Sequence, residues 1–463
     1  MINVRRLTVM TFLGAGMLSG ISAQVSPLQV DTLKETKIPD QWDLQSCIDY
    51  AKEQNITIRK NRITAASTQI DVKTAKAAMF PSLSFSTGQQ VVNRPYQETS
   101  SRVSGSEIIS SNSKTSYNGN YGLNASWTLY NGNKRLKTIQ QEKLNNQMAE
   151  LDVATSENNI QESIAQVYIQ ILYAAESVKV NENTLQVSIA QRDRGQELLN
   201  AGSIAKSDLA QLEAQVSTDR YQLVTAQATL QDYKLQLKQL LELDGENEMN
   251  VYLPALSDEN VLLPLPTKKD VYMSALTLRP EIEASKLSVE ASELGIDIAK
   301  AGYLPTISLS AGIGTNHTSG SDFTFGEQVK NGWNNSIGVS VSVPIFNNRQ
   351  TKSAVQKAKL QRETSLLSLL DEQKTLYKTI EGLWLDANSA QQRYAAANEK
   401  LRSTQISYDL ISEQFNLGMK NTVELLTEKN NLLQAQQEQL QAKYMAILNT
   451  QLLKFYQGDK LAL

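Results

Sequence analysis

Apolar residues recur at three- and four-residue spacing over long stretches of the chain. Ile160, Ile164, Val167, Ile171, Ala174, Val178 and Leu185 form one run, broken by Asn181. Leu209, Leu212, Val216, Leu223, Ala226, Leu230, Leu237 and Leu240 form another, broken by Asp219, while Leu426, Leu433, Leu440 and Ile447 recur at sevens. Such spacing lines one face of a helix, and with Gln, Asn, Lys and Glu on the remaining faces it describes coiled-coil seams. Proline ends helix interiors, and the ten prolines leave 158 residues free of it between Pro95 and Pro254 and 119 after Pro344. The pattern predicts helices over 44–79, 132–199, 205–243, 268–303, 348–414 and 420–456. At about 1.5 Å per residue, the second and fifth each reach roughly 100 Å.

Elsewhere the period changes to two. Odd positions from Tyr117 to Leu129 are Tyr, Gly, Tyr, Leu, Ala, Trp and Leu, and the even ones are small or polar. The same alternation sets Leu83, Phe85, Ile307, Leu309, Ala311 and Ile313 against serines, and Ile and Val against Asn334, Ser336, Gly338, Ser340 and Ser342. Four strands are predicted, at about 82–92, 117–130, 306–316 and 333–346. One apolar and one polar face suit a membrane barrel and suit a half-buried soluble sheet equally well.

The chain repeats itself. Residues 75–88, AKAAMFPSLSFSTG, match 299–312, AKAGYLPTISLSAG, at an offset of 224. Leu129-Tyr130-Asn131-Gly132 matches Ile345-Phe346-Asn347-Asn348 at 216, as Asn200-Ala201-Gly202 with Asp208-Leu209 matches Asn416-Leu417-Gly418 with Glu424-Leu425. The expected organisation is an extension over 24–43, a first repeat over 44–243, a linker over 244–267 carrying Pro254, Pro264 and Pro266, a second repeat over 268–456 and a tail over 457–463. Each repeat reads helix, strand, loop, strand, long helix, tight turn (about 200–207 and 416–421), helix.

Composition then removes most chemistry. Among 463 residues there are one His and one Cys, so neither a disulfide nor a Cys/His metal cluster can form within a chain. With 45 basic against 48 acidic residues there is no positive surplus for a nucleic-acid partner. No cofactor, metal or catalytic residue is assigned. Residues 1–23, with Arg5-Arg6, the apolar run Leu7–Ile21 and Ser22-Ala23, have the order of a secretory signal peptide. No Cys follows that cleavage point, which argues against a lipid-anchored protein, and no other apolar run is long enough to span a membrane as a helix. Strands are then the only way into a bilayer. Four cannot close a barrel, for which about eight are the minimum, so a barrel would have to be shared between copies around an axis.

The duplicated helix–strand–strand–helix unit, the AKAxxxP entries to the strands, and the two Asn-x-Gly turns followed by Asp208-Leu209 and Glu424-Leu425 resemble TolC-type outer-membrane efflux proteins over essentially the whole mature chain. The resemblance implies a mainly α fold with a β-barrel part: a homotrimer whose four strands per chain make a 12-stranded barrel in outer-membrane lipid, continued by a helical tunnel in the periplasm. It implies a passive exit duct, not an enzyme, serving a tripartite efflux pump or a type I secretion system, docked on a periplasmic adaptor (membrane-fusion) protein with an inner-membrane transporter behind it. Ala201, Gly202, Ser203, Leu417, Gly418 and Met419 fall on the turns that meet the adaptor, and Ser207-Asp208 and Thr422 are suited to cap the helices that follow. Glu424 falls on the acidic ring at the entrance, whose second position is Thr427 here. Asp208, Phe415 and Lys420 fall on gate contacts, Lys420 being expected to pair with Asp208 of a neighbouring helix pair. Tyr117, Tyr121, Trp127 and Trp333 are expected at the membrane interfaces. Two other classes compete, an exported coiled-coil interaction protein without a channel and a passive porin. His317 is expected on the surface of a polar loop, loops 89–116 and 317–332 are expected to face outward, and Cys47 is expected to be buried.

Overall fold

The computed structural model describes residues 39–461 apart from 97–99, 105–106, 112–113, 245–248, 255–260, 320 and 322. The signal peptide expected over 1–23, most of the 24–43 extension and the end of the tail therefore lie outside the described residues.

Two helices of 67 residues, α3 (Lys134–Asn200) and α8 (Gln350–Asn416), run the length of the helical body. Each is followed by a tight turn and a returning helix, α4 (Lys206–Leu240) and α9 (Thr422–Gln457). Where continuous helices over 44–79 and 268–303 were expected, each is two: α1 (Leu44–Gln54) and α2 (Ile56–Ala77), then α5 (Lys268–Leu278) and α6 (Pro280–Lys300). Pro280 explains the second break, because the residue before a proline is driven out of the helical region, and Arg279 is extended at ψ 123°. The first break needs no proline. Asn55 turns its own backbone extended, at ψ 127°, and its side-chain oxygen accepts from the N–H groups of Thr57 and Ile58, as an N-cap does. Asn55 and Arg279 stand 224 residues apart, the offset seen in the sequence.

The sheet has the order β1 (Ser82–Asn93), β4 (Thr115–Asn131), β5 (Thr306–Thr318), β6 (Asn334–Ser342), antiparallel throughout. A small hairpin, β2 (Ser100–Ser104) and β3 (Glu107–Ser111), lies in the connection after β1. The last strand ends at Ser342, four residues short of expectation, because Pro344 has no N–H to give a ladder. In register, Leu83, Ala125, Ala311 and Ile337 form one row across the sheet, and Ser84, Asn124, Gly312 and Ser336 the next. Alternation along each strand thus becomes one apolar and one polar face. A bulge at Leu129 sets Tyr130 opposite Ile307.

The buried core is a collar halfway along the long helices. Cys47, Ile48 and Ala51 of α1 pack with Ile164, Tyr168 and Leu172 of α3, Leu237 of α4 and Leu440 and Leu448 of α9. Burial pushes the Cys47 thiol up to about 12. A second cluster joins Val271 and Ala275 of α5, Ile282 of α6, Leu376 and Ile380 of α8 and Leu453 of α9. Arg279 ties the two together, bonding Glu162 at 2.7 Å and lying 3.6 Å from the Tyr456 ring centroid. Above the collar the helices stand side by side in the order α2–α3–α6–α8, and below it α4–α3–α9–α8. Among the described residues, nothing beyond the outer members covers Ile56, Ile63 and Ile70, at sevens on α2, or Leu360 and Leu367, at seven on α8.

Candidate functional site

The end of the helical body far from the sheet is made by two turns of one design. Gly202 and Gly418 have φ +75° and +72°, the left-handed region that glycine enters without a Cβ penalty. Their N–H groups donate to Leu199 and Phe415, and those of Ser203 and Met419 donate to Leu198 and Gln414, at 2.8–2.9 Å. This is the bond pair that closes the last carbonyls of a helix on a left-handed residue. Other left-handed pairs repeat the 216-residue offset: Gly132 with Asn348, Asn133 with Arg349, and Glu242 with Gly458.

The caps are not those expected. Asn421, not Thr422, caps α9, accepting from the Glu424 N–H at 2.9 Å, while Thr422 is buried with its hydroxyl unpartnered. On α4, Ala205 holds the cap position and Asp208 reaches back to its N–H at 3.0 Å. The two tips also differ in surface. Ala201, Gly202 and Ser203 expose small and polar groups, whereas Leu417 and Met419 are 73% and 71% exposed.

Within the chain no ion pair joins Lys420 to Asp208. Lys420 bonds Glu424 one turn away at 2.6 Å, the spacing at which side chains on a helix meet. This pair, with the Asn421 N–H, holds the Glu424 carboxyl below its ordinary value. Phe415 is buried, and Thr427 is exposed with its hydroxyl turned back onto the Val423 carbonyl.

About 10 to 20 Å above the tip, at 1.5 Å per residue, lies a group not anticipated. Lys429 of α9 donates to Asp219 of α4 and to Ser188 of α3, and Ser188 donates to the same carboxylate. Gln215 completes the set by donating to the other Asp219 oxygen at 2.9 Å. The side chains of Lys429 and Asp219 are 3% and 1% exposed, so two full charges sit in a helical seam. Burial pulls the Lys429 ammonium down, and Asp219 resists. The signal lay in the heptads, since a carboxylate interrupting the α4 seam at Asp219 demands a partner. The partner lies 210 residues away, where local spacing reveals nothing.

At the opposite end, Tyr117, Tyr121, Trp127 and Trp333 fall in line with the apolar face of the sheet. The Tyr117 hydroxyl donates to Gln89 at 2.7 Å and the Trp127 indole to the Met79 carbonyl at 2.7 Å. His317 is not in a surface loop. It lies within β5, 8% exposed, between Tyr117, Tyr121 and Phe325. Segment 317–332 is not merely polar loop either, since it holds α7 (Phe325–Asn331). Among the described residues no group of three or more His, Cys, Asp or Glu is placed to hold a metal ion, and no helix is long and apolar enough to cross a membrane.

Comparison with known proteins sets this geometry in context. A model of the family described as "Outer membrane efflux protein" matches residues 47–242 and 271–458. Outer membrane efflux protein BepC of Brucella suis biovar 1 is 25% identical over 294 residues, 63% of this chain and 61% of that protein. Outer membrane protein TolC of Escherichia coli K12 is 26% identical over 300 residues, 62% of this chain and 58% of that one. The matches thus span less than two thirds of either relative. The crystal structure of CusC, reported for conformational changes accompanying folding and transmembrane channel formation, superposes with a TM-score of 0.76 at 19% identity, over 90% of this chain and 92% of that one. The Campylobacter jejuni CmeC outer membrane channel gives 0.73 at 16%, over 94% and 92%.

Proposed function

The chain belongs to the outer membrane efflux protein family, and on that premise we propose that three copies form a channel-tunnel, the exit duct of a tripartite efflux pump. The observation that carries this is the pair of unfinished flanks. Among the described residues the sheet ends at β1 and β6 with no pairing partner beyond them, and most of its apolar face is bare. Open edges in lipid leave backbone groups unsatisfied at several kcal/mol each, so the strands close only by joining β6 of one copy to β1 of the next. The same rotation brings α8 of one copy to α2 and α4 of its neighbour. Three copies give twelve strands and a tube of helices, with the polar sheet face lining the pore. No step of chemistry is required of it, and passage is passive. An inner-membrane transporter supplies the energy, and a periplasmic adaptor meets the two tips. Native mass in mild detergent and conductance in a planar bilayer test this together. A trimer that conducts is expected; a monomer, or a trimer that does not conduct, would overturn it.

On this reading three Glu424 carboxylates ring the entrance, and Lys420 keeps each charged against its neighbours. The folded value lies below the ordinary 4.5, so the contribution of the pair is present above 4.5 and is lost as the pH falls through the lower folded value. Preference for cations should therefore persist below pH 4.5. In Lys420→Met it should fade at a higher pH than in the native protein, as read from reversal potentials across a pH series. Identical pH profiles would remove Lys420 from the entrance.

Gly418→Ala offers a separate test of the tip. A Cβ there meets nothing within 4 Å, so the cost is the left-handed backbone alone, about 1 kcal/mol. Adaptor affinity should fall while the melting temperature stays within a few degrees. A large loss of thermal stability instead would make the turn a folding element only.

A further inference from the structure

We infer that helix α7 is a lipid-interface element, folded down the outside of the barrel onto its apolar face and seated on His317 at the outer rim. The inference rests on the barrel reading above. Three observations place α7 there.

Its side of the sheet comes first. His317 pairs in register with Gly119 of β4 and falls on the apolar face with Ile313 and Leu309. Phe325 of α7 meets the His317 ring edge-on at 5.0 Å, and the Thr315 hydroxyl, on the same face, donates to the Val329 carbonyl at 2.7 Å. Gly119 makes the seat possible, because a Cβ there would lie 2.1 Å from the His317 ring.

Height comes next. The helical body joins the sheet at Ser82, Asn131, Thr306 and Ser342, so His317 is at the far end. From Ile307 to His317 a strand rises about 33 Å, or about 25 Å along the normal at the usual tilt, the height of the apolar band of such barrels. Tyr117, Tyr121, Phe323, Phe325 and Trp333 gather at this level, where ring side chains with one wet end collect in membranes.

Polarity is the third. A segment lies well against lipid when its backbone groups are bonded, and most of those at the two ends of α7 are. Thr324 and Glu327 bond each other's N–H groups, the Gly332 N–H donates to Gln328, and the Gln328 side chain accepts from the Thr318 N–H. Both His317 nitrogens are buried without a hydrogen-bond partner, as a ring sealed between three aromatics would be. Phe323, Phe325 and Trp333 remain exposed in the chain, continuous with the bare face of the sheet. Lipid at the boundary of headgroups and acyl chains is the occupant that covers both.

A nitroxide reports this directly. Gly326 has open space around its missing Cβ, and Cys47, with its buried and hardly ionised thiol, will not compete for label. Gly326→Cys, Val339→Cys on the apolar face and Ser203→Cys at the tip would be labelled in full-length protein in lipid bilayers. Collisions with oxygen, which dissolves in lipid, would be compared with those of a water-soluble nickel complex. The oxygen-to-nickel ratio at Gly326→Cys should exceed that at Ser203→Cys severalfold, though remaining below that at Val339→Cys. Ratios alike at Gly326→Cys and Ser203→Cys, with Val339→Cys in lipid, would overturn the inference alone. Val339→Cys in water would overturn the barrel reading and this inference with it. Adding His317→Ala should free the Gly326→Cys label and raise its nickel collisions severalfold; an unchanged spectrum would overturn the seat.

Discussion

Replacing Lys429 with Met should destabilise the lower half of the tunnel by about 3–5 kcal/mol, the range for breaking a buried ion pair by removing one partner. Asp219 would keep Ser188 and Gln215 but lose the opposing charge of Lys429. The loss falls where α3, α4 and α9 meet, so the tip should become the first site of protease cleavage, before the collar is touched. Lys429→Met with Asp219→Leu should recover most of the stability, because two charges taken from water and returned as apolar groups often cost nothing. Melting temperatures and the order of proteolytic fragments for the two variants decide the matter. A Lys429→Met protein that melts and digests like the native one would mean that water reaches Asp219 and the pair carries no load.

Ile63→Lys with Ile70→Lys should turn the assembly into single chains. The two isoleucines stand seven apart on the bare face of α2, Ile63 being 59% exposed, and on the opposite flank Leu367 of α8 is 66% exposed. Burying such a side chain contributes about 1.5–3 kcal/mol, and a lysine left in its place without a partner adds a desolvation cost. In the proposed trimer the change occurs in each of three seams. Native mass in mild detergent should fall from three chains to one, while the helical signal of each chain persists because the collar is untouched. A trimer of unchanged mass and melting temperature would show that α2 does not face a neighbouring copy.

Periodicity made most of the architecture legible. Heptads over Leu209–Leu240 and at Leu426, Leu433, Leu440 and Ile447 read as long helices because a seam is a local, repeated signal. The strand faces read from alternation, and the left-handed residues at 132, 202, 348 and 418 fall at the matched turns. What escaped was set by contacts distant in sequence. Asn55 breaks a helix with neither Pro nor Gly beside it, helped by its bond to the Leu240 carbonyl, 185 residues on. His317 looked like a loop residue because Thr, Ser and Gly surround it, yet Gly119, on another strand, clears the space that buries it. Nothing local in the sequence sets Lys429 apart from the other helix lysines, and its meeting with Asp219 and Ser188 distinguishes it. Lys420 had an acidic neighbour four residues away, and that local pairing is the one formed within the chain.

Helix α8 is the outer member of its flank both above and below the collar, whereas the opposite flank passes from α2 to α4. Around a closed ring, each copy would therefore grip one neighbour with a single rigid rod and the other with two shorter ones joined end to end at the collar. A displacement at the foot of α8 travels about 100 Å to the barrel without crossing a joint. A displacement of α4 must first cross the packing around Leu237 and Cys47. Mechanical signals between tip and barrel would then pass around the ring in one rotational sense more readily than in the other.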